Sequence, residues 1–313
     1  MLQRSCPYVG PLAVATSLDR TAGHPTAPAC LRIDGTNVPA AAHLRLIPVM
    51  PRTADRRGYP RPMHLQLCYA DAYARAVAGR VVAVHEPAGD GGSLVVLDQT
   101  VFYPGGGGQP ADRGTLLRAE DGRTWSVIGA RKQDGEIVHE LEVGAEPPRP
   151  GDRLQVDLEW ARRYALMRTH TALHALCGVV WRDYGAQVTG GNMEPGAGRM
   201  DFEFERMSGD LVGEIEAAVN VELRSERDVR VNVLPRDEAF AIPDLIRTKI
   251  NLLPPGIPEV RTIEIVGLDL QADGGTHVAN TREVGGIRVT GYESKGRINK
   301  RIRIELVQPE AGA

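Results

Sequence analysis

Two pairs of side chains, each spaced by four residues, carry the chemistry of this sequence. His170 and His174 lie in "RTHTALH", and Asp273 and His277 lie in "LQADGGTHV". On a helix an H-x-x-x-H spacing puts both imidazoles on one face, one turn apart, as two ligands of a tetrahedral zinc must be. The competing reading is two histidines satisfied by hydrogen bonds near the core surface. The Glu of H-E-x-x-H is missing, so a metalloprotease has little support. Asp273 and His277, in a turn that glycines permit, complete a four-ligand set of two histidines from a helix and Asp plus His from a loop. Carboxylate oxygen is an admissible zinc donor. An Asp beside Gly is equally suited to capping a helix or forming a turn, and catalytic zinc often needs only three protein ligands and a water.

The elements that must position these residues follow from periodicity. In "WARRYALMRTHTALHALCGVVWRDYG", Leu166, Leu173, Leu176, Cys177 and Val180 fit one face of a long helix that stops near Gly185. Upstream, "RVVAVHE" (80–86), "SLVVLDQTVFY" (93–103), "TWSVIGARKQ" (124–133), "EIVHELEV" (136–143) and "DRLQVDLEW" (152–160) read as short sequential strands, which suggests a small barrel or sandwich. Downstream come a strand at 198–205, an amphipathic helix at about 208–226, strands at 228–235 and 259–268, and a hairpin over 285–306. The expected fold class is α+β. A small N-terminal β-barrel domain, residues 63–155, precedes an α+β metal-binding domain, 156–313, with helices packed on a mostly antiparallel sheet. Residues 1–62 hold eight Arg and three Asp, no Lys or Glu, and nine of the 22 prolines. They read as a disordered extension or as sequence upstream of a start at Met63, in preference to an amphipathic transit helix, which tolerates few prolines.

Composition narrows the class. The chain is 42% hydrophobic and 25% charged, and no apolar run approaches the roughly 18 residues of a membrane span. Its four cysteines, Cys6, Cys30, Cys68 and Cys177, form no C-x-x-C pair and suit reduced thiols in the cytoplasm. From Met63 onward, 29 basic residues face 37 acidic ones, so any nucleic acid must be met by a local basic patch.

"RTHTALH" and "DGGTHV" together resemble the editing domain of alanyl-tRNA synthetases and the free-standing AlaX-type editing proteins related to it. That family carries H-x-x-x-H followed by C-x-x-x-H. "TVFYPGGGGQPADRG" (100–114) resembles the Gly-rich motif of the synthetase and of the medium-length AlaX proteins, and "GRMDFEF" and "NTREVGGIRV" are also similar to family stretches. The resemblance covers about residues 63–306. It implies one zinc per chain held by His170, His174 and His277, with Asp273 in the place of the family's cysteine. Exchanging soft thiolate for hard carboxylate lowers the preference for zinc and admits other divalent ions.

The resemblance further implies hydrolysis, in trans, of the ester that joins serine or glycine to the tRNA for alanine. A site that hydrogen-bonds the serine hydroxyl rejects alanine far more strongly than a merely hydrophobic pocket could. Thr169, Thr171, Thr189 and Gln109 are the polar candidates, and the resemblance places Gly105, Gly106, Gly107 and Gly108 beside the pocket. "GGGGQP" lacks the Lys-Ser/Thr ending of a phosphate-binding loop, and a plain flexible loop is its other reading. Lys295, Arg297, Lys300, Arg301 and Arg303, alternating with apolar positions along "SKGRINKRIR", are candidates to meet tRNA phosphates, and a solvated strand face is the equal alternative; Arg168 and Lys249 are weaker candidates. No motif of an aminoacylation domain is visible, so no use of ATP is expected. Two rival readings are a tRNA-binding module with a decayed metal site and a metal-dependent hydrolase of small esters or amides.

Overall fold

The computed structural model describes residues 65–86, 89–249, 253 and 256–307. The expectation for residues 1–62 lies outside the described residues. In chain order come β1 (Leu65–Gln66), a 3-10 turn (Leu67–Tyr69), β2 (Ala76–His85), β3 (Leu94–Leu97), β4 (Gln99–Thr100), β5 (Gly114–Arg118), β6 (Thr124–Gln133), β7 (Glu136–Leu141) and β8 (Arg153–Leu158). Six of them close into a barrel in the order β2, β3, β7, β6, β5, β8. Every pairing around the barrel is antiparallel. Closure leaves no unpaired edge, and the inward positions fill the lumen with Val81, Leu97, Leu116, Trp125, Val127, Leu141, Leu154 and Val156.

One expected strand is broken. The run 93–103 forms β3 and β4, and Val101, Phe102 and Tyr103 continue as buried irregular chain. There the backbone N–H of Phe102 donates to Thr100 Oγ1, and that of Tyr103 donates to Asp112 Oδ2. Side chains thus replace a ladder, and a continuous apolar run gives no period from which to foresee it.

The second part begins with α1 (Trp160–Tyr184), closed by Gly185 in the left-handed conformation at φ 63°. It continues through β9 (Val188–Glu194), β10 (Ala197–Glu203), α2 (Gly209–Arg224), β11 (Val229–Pro235), α3 (Arg236–Phe240), β12 (Glu259–Ile265), β13 (Asp269–Ala272), β14 (Gly286–Ser294) and β15 (Asn299–Val307). One antiparallel sheet has the order β14, β15, β10, β9, and a second has the order β11, β12, β13. Strand β9 was not foreseen, because Gly190 and Gly191 erase its alternation. Helices α1 and α2 share a core with the four-stranded sheet through Leu166, Leu176, Val180, Ile215, Phe202 and Ile302. The protein is therefore α+β, as expected. Helix α1 is not the one-faced helix of the sequence reading. From Leu166 to Val180 it is buried all round, His170, His174, Thr169 and Thr171 included. No helix of the described residues is long and apolar enough to cross a membrane.

Candidate metal centre

Helix α1 and the loop after β13 bring His170, His174, Asp273 and His277 to one point, with one ligand atom of each within 4.8 Å of the others. His170 Nε2 lies 3.6 Å from Asp273 Oδ1, and His277 Nε2 lies 3.1 Å from Asp273 Oδ2. The His170 and His277 rings stack at 4.2 Å, while His174 stands edge-on to both. Gly275 makes this closeness achievable. A Cβ there would sit 2.2 Å from His170 Cε1.

Each imidazole is held from behind through Nδ1. His170 Nδ1 lies 3.0 Å from Gln109 Oε1, which also accepts the backbone N–H of Thr276, so the histidine nitrogen is the donor. His174 Nδ1 donates to Asp269 Oδ2 at 3.0 Å. His277 Nδ1 lies 3.2 Å from Thr171 Oγ1. With Nδ1 engaged, Nε2 of each ring faces the cluster, that of His277 within hydrogen-bond distance of Asp273 Oδ2; outer partners orient metal-binding histidines in this way.

The electrostatics agree. Burial, reinforced by His174 and Arg261, pushes His170 down to about 4 against the pull of Asp273. Burial and then His170 hold His277 well below its ordinary value. Burial would lower His174 too, but the Asp269 carboxylate outweighs it and raises that ring. Burial alone would raise Asp273; the surrounding histidines, His170 first, and the His277 hydrogen bond hold it well below the usual carboxylate range. The lowered His170 and His277 favour the neutral imidazole and Asp273 the ionised carboxylate, the states in which such groups bind metal, whereas the raised His174 favours its proton, which metal binding must displace.

The Gly-rich loop reaches this cluster from the barrel side. Backbone N–H groups of Gly106 and Gln109 donate to each other's carbonyls at 3.0 Å. Gly107 and Gly108 between them both have positive φ, 59° and 87°, as a two-residue primed turn demands. The turn delivers Gln109 into the site, where its Nε2 donates to Thr276 Oγ1 at 2.9 Å. A buried ion pair anchors the loop base, since Arg163 of α1 bonds the Asp112 carboxylate and also donates to the carbonyls of Val101 and Ala72.

The other predicted residues are distributed as follows. Thr169 is buried, donates to Ala165 O and accepts from Gly196 N–H. Thr189 is exposed on β9 and bonds Asn299. Arg168 is buried and donates to Val284 O. Lys249 pairs with Glu203, and Arg301 makes a two-pronged bond to Asp201. Lys300 is buried and donates to the carbonyls of Gly296 and Arg297. Arg303 and Lys295 meet Glu293, and Arg297 is exposed at the hairpin tip. Sequence reasoning missed Asp269, Asp112 and Arg163. Asp269, four residues before Asp273, carried no signal of its own, since only folding puts it behind His174.

Comparisons with known proteins point to one family. A profile described as the threonyl and alanyl tRNA synthetase second additional domain matches residues 260–303, and one for class II (A) tRNA synthetases matches residues 68–162. The alanyl-tRNA editing protein AlaX-M of Methanosarcina mazei is 35% identical over 250 residues, covering 79% of this chain and 98% of the relative. The chain belongs to the AlaX-M alanyl-tRNA editing family. An AlaX-M protein of Saccharolobus solfataricus is 35% identical over 237 residues, 76% of this chain and 96% of its own length. The alanine–tRNA ligase of Sulfurisphaera tokodaii is 32% identical over 239 residues, which are 74% of this chain but 25% of that enzyme. The AlaX-M family thus corresponds to a quarter of a synthetase, standing free.

Proposed function

We propose that this chain removes serine or glycine, in trans, from wrongly loaded tRNA for alanine, using one divalent metal ion, zinc, held by His170, His174, Asp273 and His277. Membership of the family makes it a hydrolase acting on an aminoacyl ester. The observation that carries the finer reading is the convergence of those four side chains with every histidine Nδ1 already bonded away. Three nitrogens and one oxygen, dry and preoriented, fit a tetrahedral zinc, and the carboxylate admits harder ions as well. When bound, the metal supplies Lewis acidity for an already activated ester.

The chain's own residues do the rest. Gln109 ties the glycine turn to His170 and Thr276, so the wall of the pocket and the metal cluster move as one body. Gly105 to Gly108 present backbone in place of side chains, which leaves room for an aminoacyl group. Thr171 and Gln109 adjoin the ligands and are the candidates to hydrogen-bond the serine hydroxyl, a bond that an alanyl ester cannot make. Residues 63–155 and 156–313 act as two domains of a cytoplasmic editing protein, with tRNA as the partner and Lys295 and Arg297 reaching for it.

The test is release of amino acid from seryl-, glycyl- and alanyl-tRNA by wild type and by His277→Ala, with metal content measured in parallel. Release of serine or glycine, sparing alanine, with about one ion per wild-type chain is expected, and His277→Ala should lose both. No release from any charged tRNA would sink this reading.

A further inference from the structure

Beside the candidate metal ligands lies a second group of hydrogen-bond donors. Tyr69 ends the turn Leu67–Tyr69, and two cations from different strands approach its ring. Lys132 Nζ of β6 is 5.5 Å from the ring centroid, and the Arg261 guanidinium of β12 is 5.6 Å from it. Lys132 donates to Tyr69 Oη at 3.2 Å, so the phenol keeps its own proton for a further acceptor. Among the described residues no carboxylate lies within ion-pair range of the exposed Lys132. Arg261 donates to Asp273 O at 3.0 Å and stands 3.9 Å from Asp273 Oδ2, yet its Nε is buried without a partner on a side chain only 10% exposed.

We propose that Lys132, Tyr69 and Arg261 seat a phosphodiester of the single-stranded acceptor end of the tRNA; the inference rests on the editing function proposed above. Ammonium, phenol and guanidinium all offer protons, and a phosphodiester has acceptor oxygens only. The position suits it, because Arg261 touches the backbone of the metal-ligand candidate Asp273, where the ester must lie. The charge balance also calls for such a seat. The body from Met63 onward carries 37 acidic and 29 basic residues, so its mean field repels RNA. Of the basic residues that the sequence offered for this task, Lys300 and Arg301 spend their donors inside the fold, and Arg168 is buried with its guanidinium on Val284 O.

The experiment measures binding of an uncharged RNA minihelix, the alanine acceptor stem ending in single-stranded CCA, across a range of salt. Lys132→Ala, at an exposed position, should bind roughly five- to tenfold more weakly, with a log–log salt slope shallower by about 0.7, the loss of one single-strand phosphate contact. Tyr69→Phe should weaken binding by roughly two- to fivefold. A neutral methylphosphonate at one of the last two linkages should cost wild type about what Lys132→Ala costs, and the variant should lose nothing further on that RNA. Equal affinity and slope for Lys132→Ala would overturn the proposal. So would an undiminished effect of the variant on both methylphosphonate RNAs, or no binding of the minihelix by wild type. Because the RNA carries no amino acid, absence of deacylation would count against the editing reading alone.

Discussion

Asp273 is the residue at which this chain departs from the pattern that its sequence resembles. Its oxygens lie 3.6 Å from His170 Nε2 and 3.1 Å from His277 Nε2, and Oδ2 also accepts the N–H of Gly275 at 2.6 Å. Its place fits both roles that the sequence left open: it forms the turn, and its oxygens face the three histidines. A carboxylate already ionised gives up no proton when metal binds, whereas a thiol, with an ordinary pKa of about 8.5, must. Asp273→Cys should thus release about one more proton per zinc than wild type at pH 7, and its zinc affinity should fall more steeply on acidification. Proton release in weakly buffered titrations checks this. Equal release and equal affinity would mean that Asp273 is not a ligand.

At the scale of elements, the Gly-rich loop and α1 are locked by one buried ion pair. Asp112 and Arg163 are 1% and 0% exposed as side chains, and Asp112 also caps the Tyr103 N–H. Removing one partner leaves a charge in a dry site. Asp112→Ala should cost about 3–5 kcal/mol in urea unfolding, and replacing Arg163 with Met in that background should cost far less than it does alone. Additive losses would show that the two residues act independently. The same pair sets how firmly Gln109 can be presented to His170, so Asp112→Ala should also weaken metal binding.

The whole molecule should answer to pH through His139, which is fully buried on barrel strand β7. Its Nδ1 donates to Val95 O at 2.9 Å, so its Nε2 accepts from Thr100 Oγ1 at 2.8 Å, and its ring stands edge-on to Phe102. Burial pushes it from 6.5 down to about 4. Between those values the unfolded chain binds a proton and the folded chain does not, so the contribution to stability is complete above 6.5 and is lost as pH falls toward 4. The expected slope reaches about 1.4 kcal/mol per pH unit in that window. His139→Gln, which has no titrating group, should flatten it by that amount in denaturation midpoints measured from pH 7 to 4.5.

Some of this protein was determined by local sequence alone. The spacing of four in "HTALH" and "DGGTHV" set the ligand candidates, because helical geometry and glycine turn chemistry act over a few residues. Strand β6 matched its expected limits, 124–133, and Gly185 ended α1 where its left-handed conformation is cheap. Tertiary structure decided what depends on distant partners. It buried α1 on every side, which no apolar stripe announced, and it broke the run 93–103 where side chains replaced the ladder. It placed Asp269 behind His174 and Asp112 beneath Arg163, across 95 and 51 residues of sequence. It withdrew Lys300 and Arg301 into internal bonds while leaving Lys132 and Tyr69 facing outward. Charge and spacing name the groups able to do chemistry, but which of their donors remain free is fixed only once the chain has folded around them.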